Sequence, residues 1–210
     1  SIGASTRIEG SQLSDQQVAK LLASLTPGAL RSRDEQEVAG YASVMELMET
    51  TWHNLQLTES SLLAIHRDLL RFSTKDEKHR GAWKSVPNHV ASFNLEGGEI
   101  DFFCETASPS DTPQLMQQTL LWHANEEAEP TLHPLIRIGV FHVVFLGIHP
   151  FQDGNGRLAR FLTNLMLRRS GYSHTSCSSL ESLIEETAHA YYLALRRTQT
   201  SFDRSEATDW

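Results

Sequence analysis

Residues 149–160 read His-Pro-Phe-Gln-Asp-Gly-Asn-Gly-Arg-Leu-Ala-Arg, between an apolar run, Ile136 to Ile148, and an apolar-periodic one, Leu158 to Arg169. A glycine-flanked asparagine leading directly into such a run predicts a tight turn at a helix N-terminus. Backbone N–H groups at such a turn point inward and, together with the helix dipole, form a nest for anions. Arg157 and Arg160 are three residues apart, hence neighbours on one helix face, and each offers a planar fork of donors to phosphate oxygens. Asp153 stands just before the turn, where a carboxylate can hold Mg²⁺ beside phosphate oxygens and water. His149, four residues earlier, is near enough to take a proton from a hydroxyl attacking phosphorus in the nest. Taken singly, a histidine before proline is a loop residue, Asp-Gly is a turn, and two arginines on a helix are a solvated face. Their convergence within twelve residues predicts a site that handles the phosphates of a nucleotide.

The string resembles, at every specified position, the signature of the Fic family, His-Pro-Phe-x-(Asp/Glu)-Gly-Asn-(Gly/Lys)-Arg-x-x-Arg. That resemblance implies Mg²⁺-dependent transfer of AMP from ATP to a Ser, Thr or Tyr hydroxyl of a target protein. Position by position, it implies His149 as general base, Asp153 as Mg²⁺ ligand, and Gly154, Asn155 and Gly156 as the hole for the α- and β-phosphates. It also implies Arg157 on the β-phosphate, Arg160 on the γ-phosphate and Phe151 as the buried anchor of the loop. The family's kinase-like branch, typified by Doc toxins, has Lys where this chain has Gly156, so the resemblance favours AMP transfer over phosphate transfer.

Near the other end of the chain, Ser5-Thr6-Arg7-Ile8-Glu9-Gly10 is similar to the family's inhibitory-helix pattern, (Ser/Thr)-x-x-x-Glu-(Gly/Asn), in the class that carries it ahead of the core. Ser5, Glu9 and Gly10 are thereby its motif residues, and Glu9 is expected to pair with Arg160. A carboxylate on that arginine would block the γ-phosphate and spoil the pose for in-line attack, while leaving adenosine free to dock. Without the loop, a Ser/Thr cap and a charged turn would read as an ordinary helix start. Two other activities stay open: removal of AMP, with Glu9 orienting water, and a low-turnover nucleotide-binding regulator held shut by Glu9.

A 210-residue chain with 40% hydrophobic residues can bury a sizeable core as one domain. A net charge of −8 argues against a nucleic-acid surface. Cys104 and Cys177 are the only cysteines, which suits a reducing compartment and no cysteine metal site. No apolar run reaches spanning length, and no basic region followed by an apolar stretch opens the chain, so the expected location is cytoplasmic, with no membrane partner.

The periodicity predicts an all-α domain with one short β-hairpin. Residues 1–25 form the inhibitory segment and a helix capped by Ser14 and ending at Leu25; residues 26–210 form the Fic-like unit. Further helices are expected over Glu35 to Leu55, from the cap Thr58 through Leu70, and from Thr112-Pro113 to Asn125. The run from Pro134 to Ile148 should be the central buried helix, Gly171 should stop the helix after the loop, and a last helix should cover Leu180 to Thr198. His66 reads as a packed or exposed helix residue, and His142 as a satisfied core histidine rather than a second base. Between Val90–Phe93 and Ile100–Phe103, the sequence Glu96-Gly97-Gly98-Glu99 predicts a hairpin turn. In the resembling proteins this region is a flap against which a target segment lies as an added strand; Lys84 and Asn88 would be its edge residues. Tyr191, Tyr192 and Leu195 resemble the family's adenine-side wall. Expected partners are a target protein and the chain itself through self-AMPylation, with homodimerisation open. Asp209-Trp210 reads as the start of a further segment, so the chain is expected to be C-terminally incomplete.

Overall fold

The computed structural model describes residues 1–25, 29–93, 99–172 and 179–201, with backbone alone for 89–93, 99–105 and 200–201. The expected turn residues 96–98, Cys177 and Asp209-Trp210 lie outside the described residues. The described chain is helical, running α1 (Ile2–Ile8), α2 (Asp15–Ala23), α3 (Arg33–Thr51), α4 (Glu59–Leu69), β1 (His89–Phe93), β2 (Glu99–Glu105), α5 (Thr112–Ala128), α6 (Pro134–Ile148), α7 (Asn155–Arg169), α8 (Leu180–Glu186) and α9 (Ala188–Ser201). The backbones of β1 and β2 pair antiparallel, His89 opposite Glu105 and Phe93 opposite Glu99, with an irregularity between Val90 and Ser92.

Three helices start at reciprocal caps. Ser14 pairs with Gln17, Ser32 with Glu35 and Thr58 with Ser61, each hydroxyl accepting from a backbone N–H while the partner accepts from the cap's own N–H. Each such cap contributes about 1 kcal/mol by satisfying donors that have no intrahelical partner. Ser32 also corrects the expected start at Glu35: the glutamate is the third helical residue, reaching back to the cap. The expected ends at Leu25 and Leu55 are too long, since α2 closes at Ser24 and α3 at Trp52.

The second correction concerns which helix is central. Leu135 and Ile136, in the first turn of α6, are exposed, and its buried face is Ile138, Phe141, Phe145, Leu146 and Ile148. The deepest helix is α7, where all but one residue from Asn155 to Met166 is buried, Arg157 and Arg160 included. Hydropathy favours α6 because a helix with two arginines scores as a surface helix. Burial instead follows from pairing, since a buried charge is tolerated when ionic partners surround it. With Leu158, Phe161, Leu162 and Leu165 of α7, one apolar core is formed by Tyr41, Val44 and Met48 of α3, Leu62 and Ile65 of α4, and Phe141 and Phe145 of α6.

The expected single helix from Leu180 to Thr198 is two. α8 ends at Thr187 and α9 begins at the next residue, because α8 packs against α1 whereas α9 packs against α6. One straight helix cannot face both. α1 itself is narrow, with Gly3, Ala4, Ser5 and Thr6 buried. Arg7 clamps it in place: Nε and Nη2 donate to the two Glu185 oxygens at 2.5 and 3.1 Å, and Nη1 donates to Asp15 at 2.9 Å.

The crossing of α3 and α4 depends on Gly40. A Cβ there would overlap the carbonyl oxygen of Leu69, which is backbone and cannot swing aside. Helix propensity alone would make Gly40→Ala stabilising by about 1 kcal/mol. Overpacking against a fixed carbonyl costs about 1–3 kcal/mol or more. Gly40→Ala is therefore expected to lower the thermal midpoint by several degrees; an unchanged or raised midpoint would remove this close approach.

Candidate active site

The loop between α6 and α7 is held from below by a histidine. His66 of α4 is fully buried and stacks on Phe151, ring centroids 3.7 Å apart. Its Nδ1 accepts from the Gly81 N–H at 2.9 Å, so Nε2 carries the proton and donates to the Asp153 carbonyl, also at 2.9 Å. Burial pushes the His66 pKa down to about 4, which keeps this tautomer neutral. Sequence spacing gives no signal for this role: His66 lies 83 positions before His149, and only the packing of α4 beneath the loop brings it there.

Asn155 closes the loop from the other side. Its Oδ1 accepts from the Phe151 N–H at 2.9 Å and its Nδ2 donates to the Phe151 carbonyl at 2.7 Å. The Asn155 side chain is thus spent on the loop, and what the first turn of α7 presents to an anion is backbone. Gly154, at φ 83°, is the N-cap and supplies no side-chain cap.

Lys84 and Asn88 stand at the base of the strand pair and tie it to the same loop. Lys84 Nζ donates to the Ile148 carbonyl at 2.9 Å, to Asn88 Oδ1 at 3.0 Å and to Thr106 Oγ1 at 3.0 Å. Asn88 Nδ2 donates to the Phe151 carbonyl at 2.7 Å. Lys84 is buried, which pushes its pKa down to about 8, so it is a strut under the C-terminus of α6 and not an edge residue. A cation there complements the helix dipole.

His149 follows α6 in a left-handed conformation, φ 53° and ψ 60°, the single non-glycine among the described residues with positive φ. Such a conformation costs about 1–2 kcal/mol and persists because its neighbours are pinned: Pro150 accepts from the Lys84 N–H at 2.8 Å, and Phe151 is fully buried. His149 Nδ1 lies 3.4 Å from the Leu146 carbonyl, which can only accept. The proton is therefore on Nδ1, and no hydrogen bond engages the Nε2 lone pair among the described residues. Burial pushes the pKa of His149 down to about 4, so near neutral pH the ring is uncharged and able to accept a proton.

Two buried guanidinium groups face three carboxylates. Arg160 donates from Nη2 to the Ser5 carbonyl at 2.8 Å and from Nε to Ser5 Oγ at 3.1 Å, and Nη2 lies 2.8 Å from Glu9 Oε1. Arg157 Nη2 is 3.2 Å from Asp153 Oδ1, and Nη1 is 3.4 Å from Glu37 Oε2. Arg157 Nε and Nη1 are buried without a hydrogen-bond partner among the described residues, a cost that an anion at this position would remove. Burial pushes the Asp153 pKa up, but Arg157, the Gly154 N–H and Arg33 outweigh it and hold the carboxyl below the ordinary range. Glu37 and Arg33 of α3 were not singled out by sequence, because both lie on a helix start more than a hundred residues before the loop.

The tyrosines sit on the Arg160 side. Thr163 Oγ1 donates to the Ala159 carbonyl and so accepts from His142 Nδ1; His142 Nε2 then takes the Tyr191 hydroxyl at 2.8 Å. Tyr191 lies beside Arg160, and Tyr192 packs edge-on against it and donates to the Ile8 carbonyl at 3.4 Å. Leu195 packs against the core. No group of three or more His, Cys, Asp or Glu forms a metal cage among the described residues. The ionised Asp153 carboxylate suits a hard cation that draws its other ligands from phosphate and water. No helix among the described residues is long and apolar enough to cross a membrane.

The Glu9 carboxylate also lies directly over the first turn of α7, since a Cβ on Gly156 would overlap Glu9 Oε1. Gly156→Ala is thus expected to displace Glu9 and loosen α1. Amide hydrogen exchange over residues 1–10 should accelerate by roughly tenfold, equivalent to about 1.4 kcal/mol of lost local stability. Unchanged exchange would show that the carboxylate does not need the glycine.

Comparison with known proteins agrees with this geometry. A sequence profile of the Fic/DOC family matches residues 56–167, just over half of the 210 residues. The chain is 31% identical over 170 residues to the protein adenylyltransferase Fic of Drosophila melanogaster, covering 80% of this chain and 32% of that protein. Over 193 residues it is 28% identical to the protein adenylyltransferase fic-1 of Caenorhabditis elegans, covering 90% and 34%. It thus spans about a third of the length of these curated relatives. A Fic family protein from Desulfovibrio desulfuricans G20 superposes with a TM-score of 0.72 at 29% identity, covering 95% of this chain and 56% of that one. A Fic domain containing signaling protein from Bacteroides thetaiotaomicron gives 0.65 at 30% identity, covering 81% and 62%. With the matched span running from before α4 through most of α7, and so containing the whole loop and its supports, the chain belongs to the Fic/DOC family.

Proposed function

We propose that the chain is a protein adenylyltransferase domain held in a resting state by its own α1. The observation that carries this reading is the loop itself: a neutral His149 protonated on Nδ1, its Nε2 lone pair open to a substrate hydroxyl among the described residues, next to a helix N-terminus flanked by two buried arginines. The names of the curated relatives support it. In this reading the target hydroxyl attacks the α-phosphorus of ATP and its proton passes to His149 Nε2. The bond from the α-phosphorus to the bridging oxygen breaks, and pyrophosphate leaves. The backbone of residues 154–156 and Arg157 meet the growing charge, and Arg160 takes the γ-phosphate. Asp153 would hold Mg²⁺, which would neutralise phosphate charge when bound. The strand pair would serve as the flap, with Lys84 and Asn88 aligning it to His149 rather than touching the target. Tyr191, Tyr192 and Leu195 would border the adenine. Residues 1–25 would be the inhibitory unit and 26–210 the catalytic one, able to label itself and open to dimerisation.

Inhibition follows from shared space. Glu9 sits on Arg160 and over Gly156, where the terminal phosphates would lie, and Ser5 takes two further donors of the same arginine. Charge-assisted contacts of this kind can bias the equilibrium by about 1–3 kcal/mol, and every 1.4 kcal/mol is about tenfold in the open population. The Glu9 carboxylate is about a third exposed, which also leaves it able to orient a water for AMP removal from a modified target. AMP release from such a target would identify that second activity.

Glu9→Gly is expected to raise self-labelling from α-labelled ATP by roughly tenfold or more, with no label from γ-labelled ATP. Adding His149→Ala should lower the rate of transfer by about 10²–10⁴ relative to Glu9→Gly alone. Equal labelling of the unsubstituted and Glu9→Gly chains would dismiss the inhibitory role, and γ-label would reassign the transferred group.

The pH profile tests the base. A folded-state pKa of about 4 leaves His149 fully basic throughout neutral pH, and its activity is lost only as pH falls through about 4. At its ordinary value of about 6.5 a histidine would lose roughly three quarters of its basic form at pH 6. Transfer by Glu9→Gly should therefore show no such loss between pH 8 and pH 6; a fall of that size would overturn the buried, neutral base.

A further inference from the structure

Arg33 opens α3, a position where the helix dipole disfavours a cation. It is held there by two carboxylates. Its Nε donates to Glu37 Oε1 at 2.6 Å and its Nη2 to Asp153 Oδ2 at 3.2 Å. Arg157 meets the opposite oxygens of the same two acids, Asp153 Oδ1 at 3.2 Å and Glu37 Oε2 at 3.4 Å. The four side chains close a ring of alternating charge in which every Asp153 oxygen is taken, Oδ1 also accepting from the Gly154 N–H. The ring is unequal. The Arg157 side chain is 2% exposed and rides on the buried α7, whereas that of Arg33 is 58% exposed on a long flexible stem.

We propose that Arg33 is a tethered cation that occupies Asp153 in the resting protein and competes with a divalent cation for that carboxylate. This rests on reading Asp153 as the cation ligand. A divalent ion on Asp153 Oδ2 and a guanidinium nitrogen at 3.2 Å from the same oxygen claim the same space and repel each other. Arg157 has phosphate to turn to when nucleotide arrives. Arg33 has Glu37, whose carboxylate holds it at the rim while Asp153 changes partners. Arg33 therefore sets the cation concentration at which the site fills, and it does so without touching nucleotide.

The test is direct binding of Mn²⁺ followed by the electron paramagnetic resonance of the free ion, with no nucleotide present. Arg33→Ala, and Arg33→Gln as a variant that keeps a polar, uncharged stem too short to reach Asp153 as the Nη2 group does, should both bind Mn²⁺ more tightly than the unsubstituted chain. The expected gain is roughly three- to thirtyfold, the lower end reflecting solvent screening at an exposed side chain. Equal, weaker or undetectable binding by both variants would overturn the inference. In the Arg33→Ala background, Asp153→Ala should remove the gained binding. If Arg33→Ala binds tightly and the Asp153 substitution leaves that binding intact, the ion sits elsewhere and the reading of Asp153 fails instead.

Discussion

Arg157 and Arg160 lie one helical turn apart on a helix with almost no exposed surface in its first three turns, and each brings a guanidinium charge into it. Desolvating two such charges would cost several kcal/mol each if they were left alone. The rest of the site is organised by where the compensating carboxylates come from. Glu9 arrives from the end of α1 and Glu37 from α3, while Asp153 immediately precedes α7, so two segments far from α7 in sequence must pack against it for both arginines to be paired. The two arginines thus specify the packing of the helices around them as well as a candidate anion site. Apolar contacts of the surrounding core supply most of the burial energy, but they do not dictate which polar ends must meet.

This arrangement makes inhibition and binding two uses of the same donors. Arg160 spends its hydrogen bonds on Ser5 and Glu9, and Arg157 donates one to Asp153 while its Nε and Nη1, the latter in ion-pair range of Glu37, make no hydrogen bond among the described residues. A triphosphate in the proposed pose would offer oxygens in place of carboxylates, so the exchange conserves charge complementarity and changes only its source. The clamp of Arg7 on Glu185 fixes how firmly α1 presents Glu9, and α8 turns away from α9 at Thr187 to reach it. The loop that carries His149 is built differently. It does not depend on exchangeable ions: it is stapled by Asn155, underlaid by His66 and propped by Lys84, all through uncharged acceptors or backbone. A rigid base and an exchangeable set of phosphate contacts suit a site whose occupancy is regulated while its reactive atom stays aligned.

The sequence by itself determined the helical class, the loop and the residues on it. Those signals are local: caps three residues apart, apolar periodicity, and a motif whose members are neighbours on one turn or one helix face. It also paired Glu9 with Arg160 through resemblance, and the two are 2.8 Å apart. Tertiary structure decided what local spacing cannot express. It made α7, not the more apolar α6, the buried centre, because ion pairs rather than hydropathy permit arginines inside. It split the last helix in two because its halves face different neighbours. It gave the Asn155 side chain its place as a staple and the Lys84 side chain its place as a strut, since a side chain's partner depends on what packs against it. His66, Arg33 and Glu37 entered the site only through the packing of α3 and α4 against a loop that follows them by more than eighty residues, a distance across which sequence pattern carries no geometric information.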